Sequence, residues 1–356
     1  MHYRVFDLFK AIACNLIVLH HLAFYGPMAD LAWPVMPDVF GWLASEARIA
    51  VHAFLAMGGF LAARSLSMRN TAANAPLGAI GRRFIKLTPP FMAAMLIAVA
   101  ASALAAQWMT HESISAMPSL GQLLAHAFLL HGVLGYESVS AGAWYVAIDF
   151  QLFVMMTVIL YLSARPGIPS WIAPAVVAAC TAASLMVFNL DSSWDAWGPY
   201  FFGSYGLGAL AWWASERAPT PLRATAMAGT ILLLGGLALE EEFRSRIAVA
   251  LGTALLLIPA CRGLIRIPGQ DSRFVRFFGR VSYAVFLVHF PVCLVVNAAF
   301  TRFAPALPEV QAVGVLLAWV ASIVAGAAFH RWIEQPLAAV TEPSRRTADS
   351  STQAAN

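Results

Sequence analysis

Ten apolar runs dominate this chain, each close to the 20 or so residues that a helix needs to cross a hydrocarbon core. They cover roughly residues 6–26, 48–66, 84–107, 144–164, 171–190, 197–214, 223–240, 245–262, 279–302 and 311–334. Backbone amides find no water inside a bilayer, so runs of this kind fold as helices that satisfy their own hydrogen bonds. The charged residues agree: they make up 11% of the 356 residues, against about 25% in an average soluble domain. The expected fold is all-α, a single multi-pass membrane unit over residues 1–340. The polar stretch 341–356 has too few apolar residues to join a core and is expected to be a disordered cytoplasmic tail. A further apolar segment, 119–134, is too short to cross and reads as a re-entrant or interfacial helix.

Loop charges test the count. With a cytoplasmic N-terminus and ten crossings, 18 of the 22 Lys and Arg fall on the inner side, and only Arg48, Arg244, Arg246 and Arg302 fall outside. That asymmetry is what the positive-inside rule demands, and it places both termini in the cytoplasm. Letting 119–134 cross as well would move the basic cluster 262–280 outside. The formal net charge of +4 therefore reads as membrane orientation and gives no support to nucleic-acid binding. The four cysteines, Cys14, Cys180, Cys261 and Cys293, all lie in apolar runs without a CxxC pair and read as core residues. No small-residue cleavage site follows the first run, so it is expected to be a retained span. No GxSxG, HExxH, Walker A or GxGxxG context is present, and no metal is expected.

Within this apolar background the ionisable residues carry the information, because charge in a bilayer is costly. The first run, FDLFKAIACNLIVLHHLAF, holds Asp7 and Lys10 near its start and His20 and His21 near its end. Lys10 and His21 are eleven residues apart, about 20° from a common azimuth and ~16 Å along the axis. Cys14 and Ile17 lie between them. Asp7 is one turn before Lys10, a spacing suited to an ion pair. The helix therefore reads either as a functional face with a cation at the rim and an imidazole deep inside, or as a snorkelling lysine with a histidine helix contact.

Three later segments add candidates. GRRFIKLTPP carries Arg82, Arg83 and Lys86 at the entry of the third span, with Arg82 and Lys86 spaced to share a face and Pro89 and Pro90 breaking the hydrogen-bond ladder. It reads as an inner anchor or as a cytoplasm-facing phosphate site. AGAWYVAIDFQLF carries Trp144 and Asp149, and a carboxylate at that depth requires a partner from another helix. FGRVSYAVFLVHFP places Ser282 and His289 on one stripe. The last run ends HRWIEQP, with Glu334 at the inner boundary and Pro336 as a helix stop.

Taken in order, DLFKAIACNLIVLHH, FLAMGGFL, GRRFIKLTPPF, AWYVAIDFQLF, GRVSYAVFLVHFP and WIEQP resemble acyltransferase family 3, the membrane O-acyltransferases that modify bacterial glycans. The family pattern sets an arginine before the first-helix histidine; Lys10 stands at that position here and His21 is the matching histidine. The usual Ser-Gly-Phe of span two is Gly58-Gly59-Phe60, and the usual glutamate of span four is Asp149.

The resemblance implies transfer of an acyl group, most often acetyl, from cytoplasmic acyl-CoA to a hydroxyl of an extracytoplasmic or lipid-linked glycan, at the bacterial inner membrane. Acyl-CoA would be a co-substrate with no permanently bound cofactor. The other expected partners are the glycan acceptor, membrane lipids and glycan-assembly proteins. On this reading His21 is the general base, with Asp149 orienting or balancing a site histidine or cation. Lys10, Arg82, Arg83 and Lys86 bind the donor phosphates, and Asp7, His20, Trp144, Ser282 and His289 line the cavity. The rival reading, which intramembrane charges and broken helices also suit, is a transporter or flippase of a lipid-linked glycan. A third is an inactive relative that scaffolds glycan assembly.

Overall fold

A computed structural model describes residues 4–68, 75–216 and 221–341 of the chain; the 341–356 tail, apart from the backbone of Thr341, lies outside the described residues. The described residues are helical, without a strand. Fourteen helices follow in order: α1 (Arg4–Phe24), α2 (Pro27–Ala32), α3 (Pro37–Ser45), α4 (Val51–Met68), α5 (Pro76–Ala105), α6 (Leu120–Ala127), α7 (Ala143–Ser163), α8 (Ile172–Met186), α9 (Gly198–Ser215), α10 (Pro221–Glu241), α11 (Ser245–Arg262), α12 (Arg273–Phe303), α13 (Pro308–Phe329) and α14 (Gln335–Thr341). A π-helical turn, His330–Glu334, joins the last two.

Nine helical stretches among the described residues are long and apolar enough to cross a membrane. The run expected at 197–214 forms α9 but is not among the nine, because its glycines, tyrosines and Ser204 dilute its apolar character. The reason is its position. α9 packs against α4, α7, α8, α10 and α11, and every residue of it except Pro199 is buried. A helix walled in by other helices presents nothing to lipid, so it is free to carry small and polar residues where packing calls for them.

Its closest neighbour is α4, and two glycines make the approach possible. A Cβ at Gly59 would stand 1.8 Å from the Tyr205 carbonyl oxygen, and a Cβ at Gly208 would stand 1.8 Å from the Ala56 carbonyl oxygen. The two backbones touch. Lipid tails are as apolar as leucine, so helices inside a membrane associate by this kind of close contact. Around the seam, Phe60 meets Trp212 edge to face at 5.6 Å.

A second group forms around α12, which packs against α1, α5 and α13. α5 starts eight residues earlier than the expected span, so Arg82, Arg83 and Lys86 lie inside a 30-residue helix, not at its entry. Pro89 and Pro90 stay within that helix. A proline has no N–H, so the ladder loses two donors; the Lys86 carbonyl has proline at both the i+3 and i+4 positions. Segment 119–134 forms only the eight-residue α6, capped by the Ser119 hydroxyl, which accepts from the Gln122 amide at 3.1 Å. Past it the chain turns through Leu129, the one non-glycine residue with positive φ (58°) among those described.

The two ends of the described chain share one end of the bundle. Arg4 pairs with Asp271, just before α12, while Lys10, Lys86 and α14 residues Leu337 and Ala338 border one cavity.

The α4–α9 seam yields a stability prediction. Gly208→Ala drives a methyl into the Ala56 carbonyl and is expected to cost about 1–3 kcal/mol, read as a lowered thermal midpoint in detergent. Gly229→Ala, where nothing lies within 4 Å, is expected to leave the midpoint unchanged or slightly raised.

Candidate functional site

The cavity between α1, α4, α5, α7 and α12 has a volume of about 450 Å³. Its charged lining is Lys10, Arg83, Lys86 and Arg280 against Asp149 and Glu334, an excess of two positive charges. Deeper in, the walls are Phe54, Met57, Tyr145, Val146 and Phe286, so the character shifts from cationic to apolar. Along α12 the lining runs from Gly279 to Phe286, about 10 Å of helix rise.

The wall is braced by an ion pair. Arg83 Nη2 donates to Asp149 Oδ2, joining α5 to α7. The guanidinium also sits over the Phe153 ring, 5.4 Å from its centroid. The Asp149 side chain is 10% exposed and that of Arg83 33%, so the pair faces the cavity without being open to bulk water. The partner that Asp149 requires is thus a cation from another helix, Arg83. Gly58, on α4, completes this wall: a Cβ there would lie 3.2 Å from the Tyr205 ring and 3.6 Å from Asp149 Oδ1. Two of the three departures from the family pattern, glycine at 58 and aspartate at 149, therefore face each other in space.

His21 does not line the cavity. It lies beyond the Phe286 level and forms a pair with His289, His21 Nδ1 being 2.6 Å from His289 Nε2. Both rings are buried. His289 is three residues past Phe286 on α12, about 4.5 Å of rise. Phe286 itself meets Tyr145 edge to face at 5.2 Å, and its ring centroid is 6.0 Å from that of His289. The inner end of the cavity and the histidine pair are thus separated by one layer of aromatic side chain.

The structure brings together some sequence candidates and separates others. Lys10, Arg83, Lys86, Asp149 and Ser282 share the cavity. Arg82 does not; its guanidinium folds back towards Gly78 of its own helix, where a Cβ would lie 3.2 Å from Nη1. Arg83 takes its place beside Lys86, three residues on, another spacing that shares a helix face. Asp7 is buried against α12, where a Cβ at Gly279 would lie 2.3 Å from its Oδ1. His20 Nδ1–H donates to the Leu43 carbonyl at 2.9 Å, tying α1 to α3. Trp144 stacks on Phe201 at 5.4 Å, outside the cavity lining. Between Lys10 and His21 the stripe on α1 is closed: the Cys14 thiol donates to the Ser282 carbonyl at 3.6 Å and Ile17 is buried. The open path therefore follows α12, α5 and α7.

Four polar lining residues were not singled out as site residues from the sequence: Arg280, Tyr145, Tyr283 and Glu334. Arg280 stands two residues before Ser282 and counted only as an inner-loop cation. Tyr283 donates its hydroxyl to the Leu87 carbonyl at 3.4 Å, beside the two prolines. Glu334 reaches the cavity from the π-helical turn, accepting from His330 Nδ1–H at 2.8 Å. Such widened turns re-aim side chains and concentrate at functional sites, but no local sequence signal announces one.

The Arg83–Asp149 pair is open to a double-mutant cycle. Asp149→Asn is expected to destabilise by about 1–3 kcal/mol, because it strands a half-buried guanidinium. The Arg83→Gln/Asp149→Asn double variant is expected to lose less than the sum of the single variants, measured by unfolding in detergent.

With this geometry in place, comparisons with known proteins give a family. The acyltransferase family 3 model, an acyltransferase domain, matches residues 3–330. The chain is also similar to regulator of hypoxia-inducible factor 1 of Caenorhabditis elegans, with 26% identity over 175 residues, which is 44% of this chain and 34% of that protein. That match spans about a third of the relative's length. No solved structure matches. The family match covers α1 to α13, and with them the histidine pair and most of the cavity wall, so this chain belongs to acyltransferase family 3, and its apolar helices make it a multi-pass membrane protein.

Proposed function

We propose that this protein is an acyl-CoA-dependent O-acyltransferase that moves an acyl group, acetyl in the first instance, onto a hydroxyl of an extracytoplasmic or lipid-linked glycan at the bacterial inner membrane. The observation that carries the reading is the cavity itself. It opens among four cations at the bundle end that holds both ends of the described chain and stops one aromatic layer short of the His21–His289 pair.

Each part of the donor finds matching chemistry. The CoA phosphates suit Lys10, Lys86 and Arg280; Arg83 is already committed to Asp149. The pantetheine arm is thin, apolar in part and carries amide N–H donors. The cavity offers it apolar walls, among them Phe54, Met57 and Val146. The acyl end then meets Tyr145 and Phe286, whose rings must turn aside for the thioester to reach His21.

The chemistry at that point is one substitution at a carbonyl. His21 removes the proton from the acceptor hydroxyl as its oxygen attacks the thioester carbon. A C–O bond forms, the C–S bond breaks, and the departing CoA sulfur takes the proton back from the imidazolium. Imidazole suits both halves because it exchanges a proton near neutral pH. The donor enters from the cytoplasm on this reading: chain ends on one side require an even number of crossings, and α9 added to the nine apolar stretches makes ten. The inner-side excess of Lys and Arg then sets the orientation.

Acyl-CoA binding to purified protein, followed by release of the CoA thiol, tests the assignment. His21→Ala is expected to bind the donor as wild type does and to lose at least about 100-fold in turnover. Near-normal turnover in that variant would remove His21 from the reaction, and absence of donor binding by either protein would redirect attention to transport or scaffolding. At the cavity mouth, Lys10→Ala is expected to raise the donor KM severalfold with kcat little changed, and Lys10→Arg to restore it. An unaltered KM in Lys10→Ala would argue against the phosphate role.

A further inference from the structure

Beside His21 stands a group whose hydrogen bonds determine which ring nitrogen is able to take a proton. His289 Nδ1 lies 2.8 Å from the Phe286 carbonyl and 3.2 Å from the Val285 carbonyl, both on its own helix. A carbonyl only accepts, so Nδ1 of His289 carries the hydrogen. In the neutral ring Nε2 is then a lone pair, and that lone pair faces His21 Nδ1 at 2.6 Å. For this contact to be a hydrogen bond, His21 Nδ1 must be the donor. The hydrogens are thus assigned from the network of partners. The remaining nitrogen of His21, Nε2, is left with a free lone pair.

The ring geometry supports a hydrogen bond in preference to a face-to-face stack. The ring planes are 13° apart and the centroids 4.9 Å apart. Stacked rings keep about 3.5 Å between their atoms, whereas here two nitrogens approach to 2.6 Å. Near-parallel planes with so short a contact place the rings edge to edge, with the N–H···N line running along them. His20, the other histidine beside His21, is held elsewhere by the Leu43 carbonyl.

We infer that His289 is a positioning residue that fixes His21 in the Nδ1–H tautomer and so presents Nε2 as the acyl-transfer base. This rests on the reading of His21 as the base. Without an acceptor at Nδ1, His21 would be free to place its hydrogen on Nε2, where it cannot remove a proton from the acceptor hydroxyl. When Nε2 does take that proton, the neutral His289 goes on accepting from Nδ1–H and shares the charge of the imidazolium. The return of the proton to the departing CoA sulfur restores the starting tautomer. Burial matters here, because no water competes for Nδ1 at a site this enclosed.

The experiment uses the full-length protein in detergent with ring-15N histidine, acetyl-CoA as the donor probe and release of the free thiol, with water as acceptor, as the rate. In wild type the 15N shifts are expected to report His21 as protonated at Nδ1 and bare at Nε2, and His289 likewise. His289→Leu is expected to shift His21 towards Nε2–H and to lower kcat about 100-fold with the donor KM within about twofold. His289→Gln keeps an acceptor at the place of Nε2 and is expected to hold both the His21 tautomer and kcat to within about tenfold of wild type. A wild-type His21 protonated at Nε2 would overturn the inference outright and requires no variant. Wild-type kcat in His289→Leu would overturn it too. An active His21→Ala would instead sink the assignment of the base while leaving the measured tautomer standing, so the two failures are separable.

Discussion

The backbone contact between α4 and α9 at Gly59 and Gly208 is the constraint on which the site depends. Two helices that touch through carbonyl oxygens and glycine Cα atoms have little freedom to slide or rotate. That contact fixes Gly58 against Tyr205 and Asp149, and Asp149 in turn holds Arg83 of α5. The cavity wall is therefore set by a chain of contacts that begins with the absence of two side chains. It also explains why α9, alone among the long helices, needs no apolar surface: its neighbours supply the hydrophobic environment that lipid would otherwise impose.

Charge is handled differently at the two depths of the site. Near the bundle end, cations outnumber carboxylates around an open volume, an arrangement suited to an anionic ligand that enters and leaves. Deeper, the Arg83–Asp149 pair is internally matched, and the two histidines bind each other and a backbone carbonyl. A low-dielectric interior makes an unmatched charge expensive, so a reaction that creates charge there gains from a partner already in place. The aromatic layer of Tyr145 and Phe286 divides the two regimes. It separates a cation-lined volume from a buried histidine pair.

Much of the fold was legible in the sequence because hydrophobicity is local and additive. Runs of about twenty apolar residues predict helices wherever they occur, and the described residues are helical at all ten. Segment 119–134 is helical for only eight residues, in keeping with its short length. Of the residues singled out from the sequence, Lys10, Arg83, Lys86, Asp149 and Ser282 line one cavity. The sequence erred on α5, whose early start buries the basic cluster within a helix, because a stretch holding Arg82, Arg83 and Lys86 does not look like part of a span. It named Arg82 and Arg83 alike, and only Arg83 lines the cavity, since helical spacing gives relative azimuth but not which azimuth faces inward.

What the sequence by itself determined is the class of molecule: a polytopic helical bundle, basic at one end, with ordered motifs that resemble acyltransferase family 3. What only the tertiary structure decided is partnership. Asp149 pairs with Arg83 across 66 residues, and His21 with His289 across 268. Neither pairing follows from spacing, because it depends on the axial level and rotation of two helices that meet late in the chain. The same holds for the closure of the α1 stripe by Cys14 and for the arrival of Glu334 through a widened turn. Composition decides that a helix enters the membrane. Packing between helices, governed by a few glycines and a few buried polar atoms, decides which side chains face one another once it is there.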